Sequence, residues 1–226
     1  MRHLTPFLVG AAAFVLATGA QAQTHTAYIG GAHIDINSSA PPLAGGPAVP
    51  APGAQLNVGD ADTVVIGWIR HFGPDWSGEF AVGIPPKHKV FGDGFIAPFG
   101  QISSVKQVAP TLFVNYHFGE IGGRFGPFVG VGINYTRFSG AHSTPSGDAA
   151  SGGPTAIKLS DSSGLAAHAG VNVRIDKAFS ILACVSVANI KSNVTATTTT
   201  PVATTVRTTT IDFRPTMLSV ALGYSY

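Results

Sequence analysis

The stretch that decides the fold is Pro110–Phe138, which reads PTLFVNYHFGEIGGRFGPFVGVGINYTRF. Two runs of alternating character, TLFVNYHF and FVGVGINYT, flank a short glycine-rich segment. Side chains on a β-strand point alternately to opposite sides, so each run has one apolar face and one small or polar face. The stretch therefore predicts a β-hairpin, which suits either a half-buried soluble sheet or a lipid-embedded barrel.

The composition limits the classes of protein that the chain can belong to. Charged residues make up 11% of the 226 residues, whereas soluble domains typically hold about 25%. The net charge of +2 gives no electrostatic footprint for nucleic acid, so no nucleic-acid partner is expected. Cys184 is the only cysteine, which rules out an intramolecular disulfide and a cysteine cluster for a metal. The length suits one domain or one closed barrel.

The first 22 residues, MRHLTPFLVGAAAFVLATGAQA, have the features of an export signal. Arg2 gives a positive start, Phe7–Ala17 is an apolar run of signal-peptide length, and Ala20–Ala22 supplies the small-x-small cleavage pattern. We expect cleavage before Gln23, which leaves residues 23–226 as the barrel domain. A buried N-terminal helix is the structural alternative. The mature chain is then expected in the periplasm, outside the cell or in the outer membrane.

Eight runs of alternating residues follow the signal. They are expected at about 27–37, 62–71, 78–90, 102–118, 126–138, 160–175, 179–192 and 211–226. The connections after the odd-numbered runs are long, including a Pro/Ala/Gly-rich first loop and a Thr-rich last loop, and those after the even-numbered runs are short. An even strand number with this asymmetry is typical of outer-membrane barrels. The prediction is an all-β protein, an eight-stranded antiparallel up-and-down transmembrane β-barrel with short periplasmic turns and long external loops.

Aromatic residues are concentrated near both ends of the predicted strands, as in the interfacial belts of membrane barrels. The residues expected at the membrane interface are Tyr28, Trp76, Tyr116, Phe118, Phe128, Tyr135, Phe138, Tyr224 and Tyr226. The alternative is that these aromatic side chains fill a soluble core.

The interior of an eight-stranded barrel has room for side chains or one small ligand. The residues expected to line the lumen or channel are Phe91, Phe95, Phe113, Asn115, His117, Asn134, His168, Arg174, Glu79 and Lys87, with His33 and Asp35 as further inward candidates. Opposite charges inside the barrel are expected to pair and close the lumen near its short-turn end. A role in transport or proton sensing for His117 or His168 is the alternative.

Several motifs resemble those of a known family. They are Pro110-Thr-Leu, Tyr116-His-Phe, the strand from Pro127 to Thr136, and Gly83-Ile-Pro-Pro-Lys-His. Together they resemble the OmpW family of outer-membrane proteins, which includes AlkL-type hydrocarbon-uptake proteins. Pro86 replaces an aromatic residue of the family pattern, and Tyr226 stands where phenylalanine is commoner. The first and last loops also depart from the family.

The resemblance implies a barrel in the outer membrane of a Gram-negative bacterium, with a narrow apolar channel. Small hydrophobic compounds would enter it from outside and leave sideways into the membrane. The expected partners are outer-membrane lipid, small hydrophobic molecules and, through the C-terminal Tyr226, the barrel-assembly machinery. A monomer or a weak homo-oligomer is expected.

Enzymatic and metal chemistry find little support in the sequence. No Gly-x-Ser-x-Gly nucleophile elbow occurs, and His33 with Asp35 has no third metal ligand placed by the sequence. The chain is expected to be no enzyme and to need no cofactor or metal. Two other functions stay open. One is a non-transport surface barrel that acts in adhesion, stress adaptation or phage attachment through its loops, and the other is a soluble periplasmic binding module.

Overall fold

The computed structural model describes residues 24–226, so the expected signal peptide and its cleavage site lie outside the described residues. The strands are β1 (His25–Ile36), β2 (Ala54–Val58), β3 (Ala61–His71), β4 (Trp76–Gly83), β5 (Lys87–Gly94), β6 (Gln101–Val108), β7 (Thr111–His117), β8 (Phe125–Ser143), β9 (Thr155–Leu159), β10 (Ser162–Arg174), β11 (Phe179–Ala188), β12 (Lys191–Thr199), β13 (Thr204–Asp212) and β14 (Pro215–Ser225). A 3-10 turn covers Ala97–Phe99, and the helix α1 covers Pro145–Ser151. Within the described part of the chain, no helix is long and apolar enough to cross a membrane.

Eight of these strands close into a barrel. Their order around the ring is β1, β3, β4, β7, β8, β10, β11 and β14, and every neighbouring pair is antiparallel. The ring closes where β1 pairs with β14, from Thr26 opposite Ser225 to Ile36 opposite Pro215. Ring order follows chain order, so the predicted eight-stranded up-and-down barrel is confirmed. Closure gives every barrel strand a partner on both sides, as a lipid environment requires.

The central hairpin has the two faces that its sequence predicts. On the outer wall, Leu112 is 53% exposed and Val131 is 68% exposed. On the inner face, Phe113 is 7% exposed and Asn115 is 1% exposed. The outer face of the barrel is therefore an apolar band, and the inner face carries polar and aromatic side chains.

The barrel wall is interrupted at two places that the sequence predicts as continuous strand. The third predicted strand divides into β4 and β5 around Pro85 and Pro86, and the fourth divides into β6 and β7 around Pro110. Proline has no amide hydrogen to donate to a sheet. Pairing of β4 with β7 ends at Ala81 opposite Thr111, and pairing of β5 with β6 begins at Lys87 opposite Lys106.

The long external connections are largely ordered, which corrects the expectation of loops. The Thr-rich segment forms the β12–β13 hairpin, which with β9 makes a three-stranded sheet. The Pro/Ala/Gly-rich segment contains β2, which extends a second sheet through β5 and β6 to the outer part of β8. Threonine is β-branched and fits a sheet well once a partner strand is available, but its repetition in the sequence hides that pairing.

The two external sheets enclose an apolar core at the outer mouth of the barrel. It consists of Ile34, Ile36, Val58, Val90, Val105, Phe138, Ile190, Val194, Ile211 and Phe213. The rings of Phe138 and Phe213 stack with centroids 5.1 Å apart. This core positions an external cavity above the barrel lumen.

Candidate functional site

A hydrogen-bonded polar network occupies the short-turn half of the lumen. Tyr28 donates its hydroxyl to Glu79 Oε1 at 2.6 Å, and Asn115 Nδ2 donates to Glu79 Oε2 at 2.7 Å. His168 Nε2 lies 2.7 Å from Asn115 Oδ1. Because the amide nitrogen of Asn115 is committed to Glu79, its oxygen accepts, and the imidazole of His168 donates from Nε2. The buried carboxylate is thereby satisfied by donors from two other strands, β1 and β7, and His168 of β10 holds one of these donors in place.

Aromatic side chains complete the filling of this half of the barrel. The ring of His168 stacks on Phe113 with centroids 3.8 Å apart and meets Phe128 edge-on at 5.3 Å. Glycine faces the network because a Cβ at Gly130 would lie 2.1 Å from Asn115 Oδ1. An eight-stranded interior is just wide enough for side chains, and these side chains fill it at this level.

A polar vestibule of about 850 Å³ lies between this network and the short turns. His117, one of its lining residues, has Nε2 2.8 Å from Ser77 Oγ. Arg174 also lines it and is paired with Glu120 of the short turn. Glu79 has no Lys or Arg partner within the described residues. Instead of pairing with an opposite charge, as expected, it accepts hydrogen bonds from the uncharged side chains of Tyr28 and Asn115.

The external cavity has a volume of about 350 Å³ and lies between the two external sheets. Its apolar lining includes Leu56, Val58, Val90, Phe95, Ile96, Val105, Ile211 and Phe213. A smaller cavity of about 100 Å³ lies within the barrel, lined by Val65, Gly83, Pro86, Ala109, Phe113, Ala166 and Met217 among others. The two cavities share no lining residue. Ile34 and Ile190 of the apolar core line the smaller cavity, and Val105 and Phe213 of the same core line the larger one.

His88 anchors the sheet that carries one wall of the external cavity. Its side chain is fully buried, and Nδ1 donates to the carbonyl oxygen of Gly59 at 2.9 Å. Nε2 has no hydrogen-bond partner within residues 24–226. Burial lowers the pKa of His88 from its ordinary 6.5, so the uncharged ring is the favoured form in this sheet.

The structure places most predicted lumen residues inside and moves two of them outside. Phe113, Asn115, Asn134 and His168 are buried on the inner face, and Phe95 lines the external cavity although it is 48% exposed. Lys87 and Phe91 are exposed on the outer side, while His88 between them is buried. The expectation for Lys87 and Phe91 is corrected because the Pro85-Pro86 interruption resets which residues of β5 face inward.

Several predicted interface aromatics are buried, which corrects their assignment. Tyr28 belongs to the polar network, Phe128 packs on His168, and Phe138 belongs to the external core. Their side chains follow the inward alternation of β1 and β8. Of the predicted interface aromatics, those that lie exposed on the outer wall are Trp76, Tyr116, Phe118, Tyr135 and Tyr224. Tyr226 is half-buried and stacks on His25 with centroids 5.7 Å apart.

The facing of β1 is also the reverse of the expected one. Ile34 and Ile36 point into the external core, while His33 and Asp35 are exposed. His33 Nδ1 lies 2.7 Å from Asp62 Oδ1 of β3 on the outer surface. Ser77 and Cys184 also belong to the polar interior, although neither is among the predicted lumen residues. The sequence signal for Ser77 is that it lies two residues from Glu79 on the same face, and Cys184 lies likewise two residues from Leu182.

The described part of the chain shows no assembled metal site. Residues 24–226 contain no group of three or more His, Cys, Asp or Glu side chains placed to hold a metal ion. The thiol of Cys184 lies 3.5 Å from His168 Nδ1 inside the filled lumen. Cys184 is only partly buried, and a small thiol in such a strand position acts as a packing residue.

A closed eight-stranded barrel with an apolar outer band, a filled polar interior and extended external strands defines the class of eight-stranded outer-membrane barrel proteins. The family model of the OmpW family matches residues 33–226, and the chain belongs to this family. It therefore resides in the outer membrane of a Gram-negative bacterium, with lipid around its apolar band.

Relatives support this assignment at different levels. The chain is 32% identical over 149 residues to outer membrane protein W of Vibrio cholerae, an alignment that covers 66% of each chain. It is 31% identical over 120 residues to the dibenzothiophene metabolism operon protein PahQ of Pseudomonas aeruginosa, covering 53% of this chain and 55% of the relative. These alignments therefore span less than two thirds of the relatives' lengths. The crystal structure of OprG from Pseudomonas aeruginosa has the same fold, with a TM-score of 0.81, 23% identity and coverage of 92% and 98%.

Proposed function

We propose that the protein gives small hydrophobic molecules passive passage into the outer membrane from the external side. The observation that carries this proposal is the apolar external cavity above a filled lumen. Its volume of about 350 Å³ and its aliphatic and aromatic lining suit a small apolar ligand. Burial of apolar ligand surface supplies the driving force for entry, and no energy source is needed.

The exit in this proposal is sideways, through the interrupted wall. Between the pairs Ala81–Thr111 and Lys87–Lys106 the wall is weakly joined, by a backbone hydrogen bond from Gln107 N to Pro86 O at 3.3 Å, and the prolines there have no amide to extend the ladder. Gly83, Pro86 and Ala109 of this region line the smaller cavity. Because the two cavities share no lining residue, transfer between them requires the core side chains that separate them to move.

An axial route to the periplasm is disfavoured by the polar network. An apolar molecule on that route would displace Tyr28 and Asn115 from Glu79 and leave a buried carboxylate without its donors. Such a loss costs about 1–3 kcal/mol for each unsatisfied group, and more for a charged one. The apolar molecule offers no hydrogen bond in return, so the lateral path is favoured.

The names of relatives agree with this class of ligand. PahQ is called a dibenzothiophene metabolism operon protein, and dibenzothiophene is a small, largely apolar aromatic compound. We extend to this chain only the class of small hydrophobic compounds.

Uptake of octane by cells that make matched variants tests the proposal. Ala166 is buried and lines the smaller cavity, whereas Ala169 on the same strand is exposed on the lipid side. Ala166→Phe should slow octane entry to the rate of cells without the protein, because the added ring fills the cavity. Ala169→Phe should leave entry unchanged.

A heat-dependent gel mobility shift verifies that both variants are folded barrels, and the milder Ala166→Leu should give intermediate uptake. Equal octane uptake by cells with and without the unaltered protein would reject the proposed function.

A second candidate function is a non-transport surface barrel acting through its external strands. The observation that favours it is the ordered β12–β13 hairpin, whose tip residue Val202 is 93% exposed. Replacing residues 200–203 by a Gly-Asn turn should then abolish attachment of cells to a host surface or of phage to cells, while octane uptake persists. Attachment that survives the replacement would contradict this candidate.

A further inference from the structure

Three lysines form a cluster on the outer side of the second external sheet. Lys87 and Lys89 are exposed on β5, and Lys106 is exposed on β6. Lys87 lies directly opposite Lys106 in the antiparallel pair, and Lys89 is two residues further along the same face. Like charges placed opposite each other on a sheet are destabilising, and an anion bound between these lysines would reduce their repulsion.

The protein supplies no such anion among its described residues. Within residues 24–226 no carboxylate lies within 4.0 Å of the ammonium groups of these three lysines. The carboxylates of the adjoining segments have other partners. Asp60 accepts the amide of Ile36, and Asp62 contacts His33. Asp93, four residues beyond Lys89 on the same face of β5, accepts the amide of Gly94. The lysine cluster is therefore open to an anion from outside the chain.

The level of the cluster relative to the membrane follows from the neighbouring strand. The outer face of β8 carries Val131, Ile133 and Tyr135, all exposed, and then Arg137. Arg137 lies opposite Val108, two residues from Lys106 on the same face of β6. At about 3.3 Å per residue, Arg137 is about 13 Å along the strand from Ile133, so the lysines lie where the apolar band gives way to headgroups.

We propose that Lys87, Lys89 and Lys106 bind the phosphate group of a lipid in the external leaflet of the outer membrane. The acyl chains of that lipid lie on the apolar band below, against Leu112 and Ile133, which are 53% and 60% exposed. Ammonium groups bind phosphate as point charges, and basic residues beside a membrane attract anionic headgroups. This binding site is on the outer wall and does not depend on the proposed passage of hydrophobic molecules.

The test uses the whole purified barrel in neutral detergent, titrated with phosphatidic acid, and native mass spectrometry measures the lipid retained. Lys106→Gln should weaken retention about fivefold and the double variant Lys87→Gln/Lys106→Gln about 30-fold, given about 1 kcal/mol per juxtamembrane lysine. Lys158→Gln is the matched control, because Lys158 is exposed on β9 of the other external sheet. It should leave retention unchanged.

Two comparisons separate the parts of the ligand. Phosphatidylcholine tests whether net negative charge on the headgroup is needed, and inorganic phosphate tests whether the acyl chains are needed. Retention of phosphatidic acid should exceed that of phosphatidylcholine, fall with added salt, and persist against an equal concentration of inorganic phosphate. Equal retention of the two lipids, equal losses in Lys106→Gln and Lys158→Gln, or displacement by inorganic phosphate would each overturn the proposal. A heat-dependent gel shift confirms that every variant compared is folded.

Discussion

Single residues show how the barrel holds a carboxyl group in its interior. Glu79 is 8% exposed and receives hydrogen bonds from Tyr28 and Asn115. Burial of a polar or charged group is costly unless it is hydrogen-bonded, so each of these donors acts as a structural requirement of the filled lumen. Asn115 has a double role, because its oxygen also accepts from His168.

Asn115→Ala should therefore destabilise the barrel by about 1–3 kcal/mol, because Glu79 and His168 each lose a buried partner. Chemical unfolding in detergent, followed by circular dichroism, measures the change. Asn57→Ala is the matched control, since Asn57 is exposed on β2, and its effect should stay within about 0.5 kcal/mol. Equal stability of the two variants would show that the network contributes nothing to stability.

At the scale of elements, alternation predicts a strand and its facing only where the two sides of the wall differ in polarity. The central hairpin meets this condition, because its outer side meets lipid and its inner side meets the polar network. At the outer end of β1 the polarity of the two sides is reversed, with the apolar side facing inward. There Ile34 and Ile36 face an apolar core, while His33 and Asp35 lie on the outer surface.

The strands of the external sheets could not be predicted from the sequence for a different reason. The Thr-rich hairpin pairs with β9, and β2 pairs with β5, in each case a strand well separated in the chain. Low-complexity sequence carries no periodicity from which to predict these pairings. The polar network likewise joins residues from β1, β4, β7 and β10. The candidates Glu79, Asn115 and His168 were identifiable, but their partnership depends on the register of the closed ring.

His88 makes the sheet of β2, β5 and β6 sensitive to pH. Its pKa is lowered by burial, so above pH 6.5 its contribution to stability is complete, and as pH falls below 6.5 the unfolded chain takes up the proton first. The stability of this sheet should thus fall with decreasing pH. Amide hydrogen exchange in β5 should speed up between about pH 7.5 and about pH 5 relative to β14, after correction for the intrinsic pH dependence.

His88→Gln supplies the control for this effect, because glutamine does not titrate and keeps an amide donor for Gly59. In that variant the ratio of exchange rates in β5 and β14 should be the same at both pH values. A pH dependence that survives the substitution would assign the effect to other groups.

For the whole molecule, the apolar band ties stability to the depth of each outer residue in the bilayer. Val131 is 68% exposed and lies near the middle of the outward series of β8, which runs from Phe125 to Tyr135. Val131→Lys should cost about 2–4 kcal/mol in lipid vesicles, as measured by urea unfolding. Val206→Lys, at a half-exposed site on the external β13, should cost about 0.5 kcal/mol or less. Equal costs would mean that the band does not face lipid.

The pairing of β1 with β14 has a consequence for how the molecule is made. The side chains of Thr26 and Ser225 meet at 2.9 Å although 199 positions separate them in the chain. Until β14 docks, both β1 and β11 are open sheet edges, and contacts of such long range are slow to form because the chain entropy is lost before they form. Assembly is thus all-or-none at its final step, and a nascent chain that lacks β14 is prone to pair with a second copy of itself.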